Sequence, residues 1–169
     1  MDIAGNLESF PVSAETTASI PEPANLCSTP DNWDRTANDN TPGSSNPVDL
    51  LAEPTEHNFC NPLTPDRLND EDWVNFEVEP GQAYLMESIP TADMTASVLE
   101  LYASDGTTLL ATVQAGELNK KSRIIWTSDR SGIVYLRSRH LDGRIAGNLV
   151  TYQLKVNKFL PIFMPFVHR

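Results

Sequence analysis

Residues 96–113 read ASVLELYASDGTTLLATV, and this stretch predicts two β-strands joined by a tight hairpin. Before the turn, the period of two that is typical of a strand places Val98, Glu100 and Tyr102 on one face and Leu99 and Leu101 on the other. Asp105-Gly106 is among the strongest short hairpin signals, because glycine accepts a left-handed backbone conformation at little cost. TLLATV at 108–113 then reads as the returning strand.

Similar short runs continue on both sides of this hairpin and are separated by turn signals. No long amphipathic helix interrupts them, and no proline occurs between residues 91 and 160. About eight antiparallel strands therefore predict an all-β domain, either a β-sandwich or a barrel. Besides the hairpin strands 96–104 and 108–113, the predicted strands are residues 73–78, 82–88, 123–128, 132–139 and 149–156.

The charge distribution separates the N-terminal third from the rest of the chain. The net charge of the 169 residues is -11, and residues 1–56 hold ten of the 23 acids but only one base, Arg35. An excess of carboxylates argues against binding to nucleic acid or to an anionic membrane, while it is compatible with bound cations. Nine of the 13 prolines lie at or before position 65. We therefore expect an extended, Pro/Thr/Ser-rich arm over 1–30 and an acidic linker over 31–56, followed by strands over 57–157 and a tail over 158–169.

Two cysteines, Cys27 and Cys60, are present, and an even count in an acidic, proline-rich chain favours a disulfide formed outside the cytoplasm. The alternative is two free thiols. The first ten residues show no signal peptide, and no run of about 20 apolar residues predicts a transmembrane segment.

The stretch NDEDWVNFEVEPG at 69–81 places three acids directly before a strand. Asp70 and Asp72 point to the same side if both lie on that strand, so they could act as oxygen ligands for a metal. The alternative is a solvated strand entrance, with the acids bonded to turn amides. In HNFC at 57–60, His57 and Cys60 could also bind a metal, but no second pair follows, which argues against a zinc site.

The order of several motifs resembles the bacterial pre-peptidase C-terminal domain over roughly residues 30–157. One departure is QAGELNKK at 114–121, which is basic where that family often carries paired acids or amides. The matching residues are Asp70, Asp72 and Trp73; Asp93, Leu99, Leu101 and Tyr102; Asp105, Gly106 and Leu110; Arg123, Ile124 and Trp126; Gly132, Tyr135 and Arg137; and Tyr152, Leu154 and Val156.

This resemblance implies a jelly-roll-like β-sandwich on a secreted or surface protein. Collagen-binding relatives bind calcium through a linker that passes beside the first acids. Carried onto this sequence, the calcium ligands would be Asp34, Asn38 and Asp39 from the linker with Asp70 and Asp72 from the strand.

The chain ends in KFLPIFMPFVHR, a strongly apolar tail whose prolines forbid a regular helix. We expect this tail to pack on its own sandwich, on a neighbouring subunit, or on a lipid or cell-wall surface. Its predicted interface residues are Phe159, Leu160, Ile162, Phe163, Met164, Phe166 and Val167.

Three functions follow as hypotheses. The first is a non-catalytic extracellular or cell-surface module for adhesion or substrate targeting, which binds a protein or glycan ligand and is stabilised by calcium. The second is a structural subunit of a filament or surface layer, joined to copies of itself through the arm or the tail. The third, a hydrolase accessory or catalytic fragment, lacks support from any motif for nucleophilic or zinc-dependent hydrolysis.

Overall fold

Two β-sheets pack face to face, in a computed structural model that describes residues 27–34, 39–60 and 70–159 and only the backbone of Phe159. A short 3₁₀ helix, Pro42–Ser44, lies in the linker. The nine strands of the described residues are β1 Asn46–Pro47, β2 Thr55–Asn58, β3 Glu71–Val78, β4 Ala83–Pro90, β5 Ser97–Tyr102, β6 Leu109–Gln114, β7 Ser122–Thr127, β8 Gly132–His140 and β9 Thr151–Phe159.

The strands are divided between a five-stranded sheet, in the order β1-β3-β8-β5-β6, and a four-stranded sheet, in the order β2-β9-β4-β7. The apolar faces of both sheets meet in one core, to which Leu99 and Leu136 of the first sheet and Met86 and Tyr152 of the second contribute. The predicted all-β sandwich is therefore confirmed.

The hairpin at Asp105-Gly106 joins β5 to β6 as predicted, and its sequence explains its shape. The Asp105 carboxylate accepts hydrogen bonds from the backbone amides of Thr107 (2.9 Å) and Thr108 (2.8 Å). Gly106 has φ +68°, and a Cβ there would lie 2.8 Å from Pro42. Glycine is thus required both by the turn and by the linker helix that lies against it.

One pairing differs from the all-antiparallel expectation, because β1 runs parallel to β3, with Asn46 opposite Val74. The Val48 amide donates to the Asn75 carbonyl at 3.0 Å, and the Asn75 side chain donates to the Ser45 carbonyl at 3.2 Å. Hydrogen bonds of this kind hold the two-residue strand β1 in place, and no hydrophobic pattern in the sequence predicts it. The acidic linker is therefore part of the five-stranded sheet.

Strand β3 positions the acids that precede and begin it. Val74, Phe76 and Val78 face the core, and side chains two residues apart share one face of a strand. Asp70 and Asp72 therefore point towards the interior, at the end of the sandwich where the linker and β2 arrive.

The predicted apolar interface lies almost wholly outside the described residues. Phe159 ends β9 with its backbone opposite Ala83. Leu160, Ile162, Phe163, Met164, Phe166 and Val167 fall beyond it, so the role of the tail stays a prediction. Within the described ranges, no helix has the length and apolar character needed to cross a membrane.

Candidate metal centre at the linker end of the sandwich

Four of the five predicted metal ligands are buried together where the linker meets β3. Asp34, Asp39, Asp70 and Asp72 are exposed by 1%, 1%, 2% and 0% respectively, and we call these four residues the acid cluster. The expectation of a solvated strand entrance is wrong for Asp70 and Asp72, because the inward face of β3 carries both into the interior. Asn38, the fifth predicted ligand, lies outside the described residues.

Three members of the acid cluster are close enough to share one ion. One carboxylate oxygen each from Asp34, Asp39 and Asp72 lies within 4.8 Å of the other two. Asp70 does not belong to this group of three, although it acts on its members electrostatically. Asp34 lies in the described segment 27–34, Asp39 in the described segment 39–60 and Asp72 in β3, so an ion here would join all three.

The carboxyl oxygens of the acid cluster are poorly satisfied by the protein. Both oxygens of Asp34, both of Asp70, and Oδ1 of Asp39 and of Asp72 are buried without a hydrogen-bond partner in the described part of the chain. Buried polar atoms in native proteins are normally paired, so a group of six orphaned oxygens needs an explanation. A bound cation supplies one.

Burial and mutual repulsion raise the pKa values of the acid cluster. Burial, followed by the charge of Asp31, raises the pKa of Asp34 to about 6. Burial and then the charge of Asp34 raise the pKa of Asp39 to about 8 and that of Asp70 to about 9. Burial and the charge of Asp70 raise the pKa of Asp72 well above its usual value. Without a cation, the folded protein therefore resists full ionisation of the acid cluster.

Tyr152 of β9 fixes one oxygen of Asp72. Its buried hydroxyl donates a hydrogen bond to Asp72 Oδ2, which leaves Oδ1 of the same carboxyl without a partner. Asn46 Nδ2 donates to Asp39 Oδ2 at 3.5 Å from the linker side. Each carboxyl is thus oriented from one direction and keeps an oxygen free on the other.

Two residues at this end of the sandwich were not predicted as ligands, Asp31 and His57. His57 Nδ1 lies 3.1 Å from Asp31 Oδ2, and one ligand atom each from Asp31, His57 and Asp72 lies within 4.8 Å of the other two. Burial alone would raise the pKa of Asp31, but the hydrogen bond and charge of His57 lower it. Sequence reasoning considered His57 only beside Cys60 and never with Asp31.

The predicted disulfide supplies the signal that could have found this pair. Cys27 and Cys60 are bonded, so the four residues after Cys27 lead to Asp31 and the three before Cys60 lead back to His57. The amide of Ser28 donates to Asn148 Oδ1 at 3.1 Å, and Asn58 Nδ2 donates to the Thr29 carbonyl, also at 3.1 Å. These bonds hold segment 27–34 against the end of β2.

The chain is similar to several solved structures. One of them is the pre-peptidase C-terminal domain of a collagenase from Bacillus anthracis, with 18% identity over 67% of this chain and 94% of that one and a TM-score of 0.47. This is the family that the sequence motifs resemble. No family model and no curated protein matches the chain.

Proposed function

We propose that the chain is a non-catalytic β-sandwich module of a secreted or surface protein, that it is stabilised by calcium, and that it serves adhesion or substrate targeting. The observation that carries the calcium part is the acid cluster, with its six buried and unpartnered carboxyl oxygens. The adhesion or targeting part follows from the family that the sequence motifs resemble, in which the domain accompanies the enzyme without performing its chemistry.

The energetics of burial favour a bound cation. An ionised carboxylate in the interior is strongly unfavourable unless it is paired or coordinates a metal. Several such groups in contact also repel one another, which adds to the cost. Neutralisation by protons would cost free energy near neutral pH, because carboxyls normally titrate near pH 4.

The donor set fits calcium. Calcium is bound by six to eight oxygens from carboxylates, carbonyls and water, in a flexible geometry. Asp34, Asp39 and Asp72 would hold the ion directly, and Asp70 would add negative charge beside them. When bound, the ion neutralises the repulsion between these side chains. The protein itself orients the carboxyls through Tyr152 and Asn46 and ties the linker to β3.

The disulfide supports the proposed compartment. Disulfides form and persist in oxidising environments and are rare in the cytosol. Cys27 and Cys60 are exposed by only 1% and 0%, so their bond belongs to the packed structure of the module. A protein outside the cell is also the one most readily supplied with calcium, which weakly binding extracellular modules require at about 10⁻⁴–10⁻³ M.

Calorimetric titration of calcium into chelator-treated, oxidised protein tests the proposal. We expect saturable binding, and Asp72→Asn should abolish most of it because it removes the charge of a fully buried member of the donor set. Glu77→Gln is the matched control, since Glu77 lies on the same strand but is exposed. Absence of calcium binding by the wild-type protein, or equal binding by both variants, would rule out the proposed site.

The filament hypothesis stays a prediction and has its own measurement. Its joints would use the arm and the tail, most of which lie outside the described residues. Analytical ultracentrifugation with and without calcium distinguishes a monomeric module from a polymer. A concentration-independent monomer would exclude the filament.

A further inference from the structure

We infer that Asp31, His57 and Asp72 form a second cation site, and that this site takes a divalent transition metal such as Zn²⁺. The inference builds on the proposed function in one respect, because Asp72 also borders the calcium site. The two sites share Asp72 and differ in their other two side chains and in the class of ion. In the sequence, only Cys60 stood close enough to His57 to suggest a shared zinc ion. Cys60 is bonded to Cys27 in the structure and therefore cannot serve as that ligand.

The distances suit one small ion held by nitrogen and oxygen. His57 Nδ1 and Asp31 Oδ2 are 3.1 Å apart, and Asp31, His57 and Asp72 each offer one ligand atom within 4.8 Å of the other two. Two ligands of a tetrahedral zinc ion, each about 2.0–2.2 Å from the metal, are separated by about 3.3 Å. The pair therefore already stands at the spacing of two zinc ligands.

In this structure His57 Nδ1 is hydrogen-bonded to Asp31 Oδ2 at 3.1 Å, and the partner of Nε2 allows Nδ1 to become a ligand once a metal displaces its proton. Nε2 lies 2.8 Å from Thr55 Oγ1, and that hydroxyl lies 3.4 Å from the Leu154 carbonyl. When the Thr55 hydroxyl donates to the Leu154 carbonyl, its oxygen can accept a hydrogen bond from the Nε2–H group of His57. A metal would then meet the lone pair of Nδ1, which lies 3.1 Å from Asp31 Oδ2. Metal-bound histidines are usually oriented by such a partner on the second nitrogen.

The ring of His57 is held rigidly in this orientation. Trp33 contacts it edge-on with a centroid distance of 4.5 Å, and Tyr152 stacks on it at 5.3 Å. The His57 side chain is only 1% exposed. A buried imidazole held by two aromatic rings, grouped with a fully buried Asp72 whose Oδ1 has no partner, is a preorganised donor set rather than a surface grouping.

The chemistry of the donors decides the class of ion. Calcium selects oxygen ligands, whereas imidazole suits zinc and other first-row transition ions. The set Asp34, Asp39 and Asp72 offers oxygen alone, and the set Asp31, His57 and Asp72 adds nitrogen. An ion in the second set would join segment 27–34, strand β2 and strand β3. The competing arrangement is a proton on Nδ1 donated to Asp31, with no metal.

The decisive experiment adds Zn²⁺ to oxidised protein in saturating calcium and measures affinity by competition with a chromophoric chelator. We expect one zinc ion per chain in addition to calcium. His57→Asn should weaken zinc binding by at least about 100-fold, since the loss of outer partners alone costs about 10–100-fold. It should leave calcium affinity within about threefold, because His57 lies outside the oxygen-only set.

Two further variants guard against a merely structural effect. Glu56→Gln changes an exposed neighbour on β2 and should alter neither affinity. Thr55→Val removes the Nε2 partner without touching a ligand and should weaken zinc binding by about tenfold. Circular dichroism reports whether each variant folds. If His57→Asn does not fold, Thr55→Val and the visible spectrum of Co²⁺ bound to the wild-type protein decide, because nitrogen ligation shifts that spectrum.

Zinc that binds His57→Asn as tightly as the wild-type protein would overturn the inference, as would zinc that merely displaces calcium one for one. Calcium binding with no additional zinc would also overturn it and leave the proposed function standing. Zinc binding that depends on His57, in a protein that ignores calcium, would support the inference and sink the calcium proposal.

Discussion

Glu71 and Asp72 are neighbours on β3, and each belongs to a different group of acids. The two groups differ in the counter-charge that the protein provides. On the outer face, Glu71 and Glu100 are held by Arg137, whose Nε donates to Glu100 at 2.6 Å and whose Nη1 contacts Glu71 at 3.2 Å; Arg139 lies 3.5 Å from Glu100. We call these four residues the arginine network. On the inner face, the acid cluster forms no salt bridge to lysine or arginine within residues 27–34, 39–60 and 70–159.

The contrast shows where each group obtains its counter-charge. Glu71 and Asp72 are adjacent in sequence, and the alternation of a strand sends them to opposite faces. The outer face carries its own cations, and Arg137 also lies 5.4 Å from the ring of Trp73. On the proposal above, the inner face would take its cation from solution, so its stability should depend on pH and on metal in a way that the outer face does not share.

The largest expected effect is a fall in the stability of the metal-free protein as the pH rises. The pKa values of Asp39 and Asp70 are raised in the fold to about 8 and about 9, so the folded state holds protons that the unfolded chain releases near pH 4. Stability is therefore full below pH 4 for these groups and is lost as the pH rises through 8 and 9. Each titrating carboxyl contributes up to about 1.4 kcal/mol per pH unit.

Thermal unfolding in chelator between pH 5 and pH 9 measures this slope. Calcium should oppose it, because the ion binds the ionised carboxyls and adds more stability at higher pH. Asp39→Asn should raise the melting temperature in chelator at pH 8 and lower it in calcium. A metal-free protein that becomes more stable from pH 5 to pH 8 would contradict the electrostatic account of the acid cluster.

Next in size is the loss of the disulfide. Replacing both cysteines by serine should cost about 3–4 kcal/mol, because the bond closes a loop with a sequence separation of 33. Calcium affinity should also fall, since binding would have to order segment 27–34. Denaturant unfolding of the variant and the reduced wild-type protein gives the cost. Unchanged calcium affinity would show that Asp34 is positioned without the bond.

Removing Arg137 should leave the acids of the outer face without a counter-charge, as the acid cluster is without a metal. Arg137→Met leaves Glu71 and Glu100 without their main partner and removes a contact with Trp73, so we expect a loss of about 2–3 kcal/mol. The cost stays below that of a fully buried pair because Arg137 is 22% exposed and Glu100 12%. Urea unfolding measures it, and calcium should not restore the loss. Recovery of stability in calcium would mean that the two faces are coupled.

The smallest effect is expected at a charge pair beside the four-stranded sheet, in which the lysine is exposed and the glutamate buried. Lys121 lies 3.6 Å from Glu87 and is 54% exposed, and Arg123 already contacts the same carboxylate at 2.7 Å. Lys121→Ala should change stability by less than about 0.5 kcal/mol, because exposed pairs are screened by water and salt. A loss above 1 kcal/mol in the same urea assay would show that surface charge matters more here than the comparison assumes.

Local pattern was sufficient to predict most of the fold. Alternation identified β3 and β5 to within a few residues, and Asp105-Gly106 identified the hairpin, since both signals are carried by adjacent residues. The parallel β1 was not predictable, because a two-residue strand has no period and its direction is set by contacts with Asn75.

The candidate site was predicted only in part for a similar reason. Asp70 and Asp72 were identified because they share one face of β3, but the depth of their burial depends on the linker that covers them. Asp31 and His57 are 26 residues apart and meet only through tertiary structure. The predicted disulfide, combined with the strand pattern, would have predicted that Asp31 and His57 lie close together.

The position of the disulfide has a mechanical consequence. Tension applied to the chain before Cys27 passes through the sulfur–sulfur bond to Cys60 and bypasses residues 28–59, which lie inside the closed loop. This force would otherwise break the hydrogen bonds of β1 and β2 one after another. The disulfide therefore protects both strands, together with Asp31, Asp34 and Asp39. A module that resists shear in this way keeps its linker acids in place while under load.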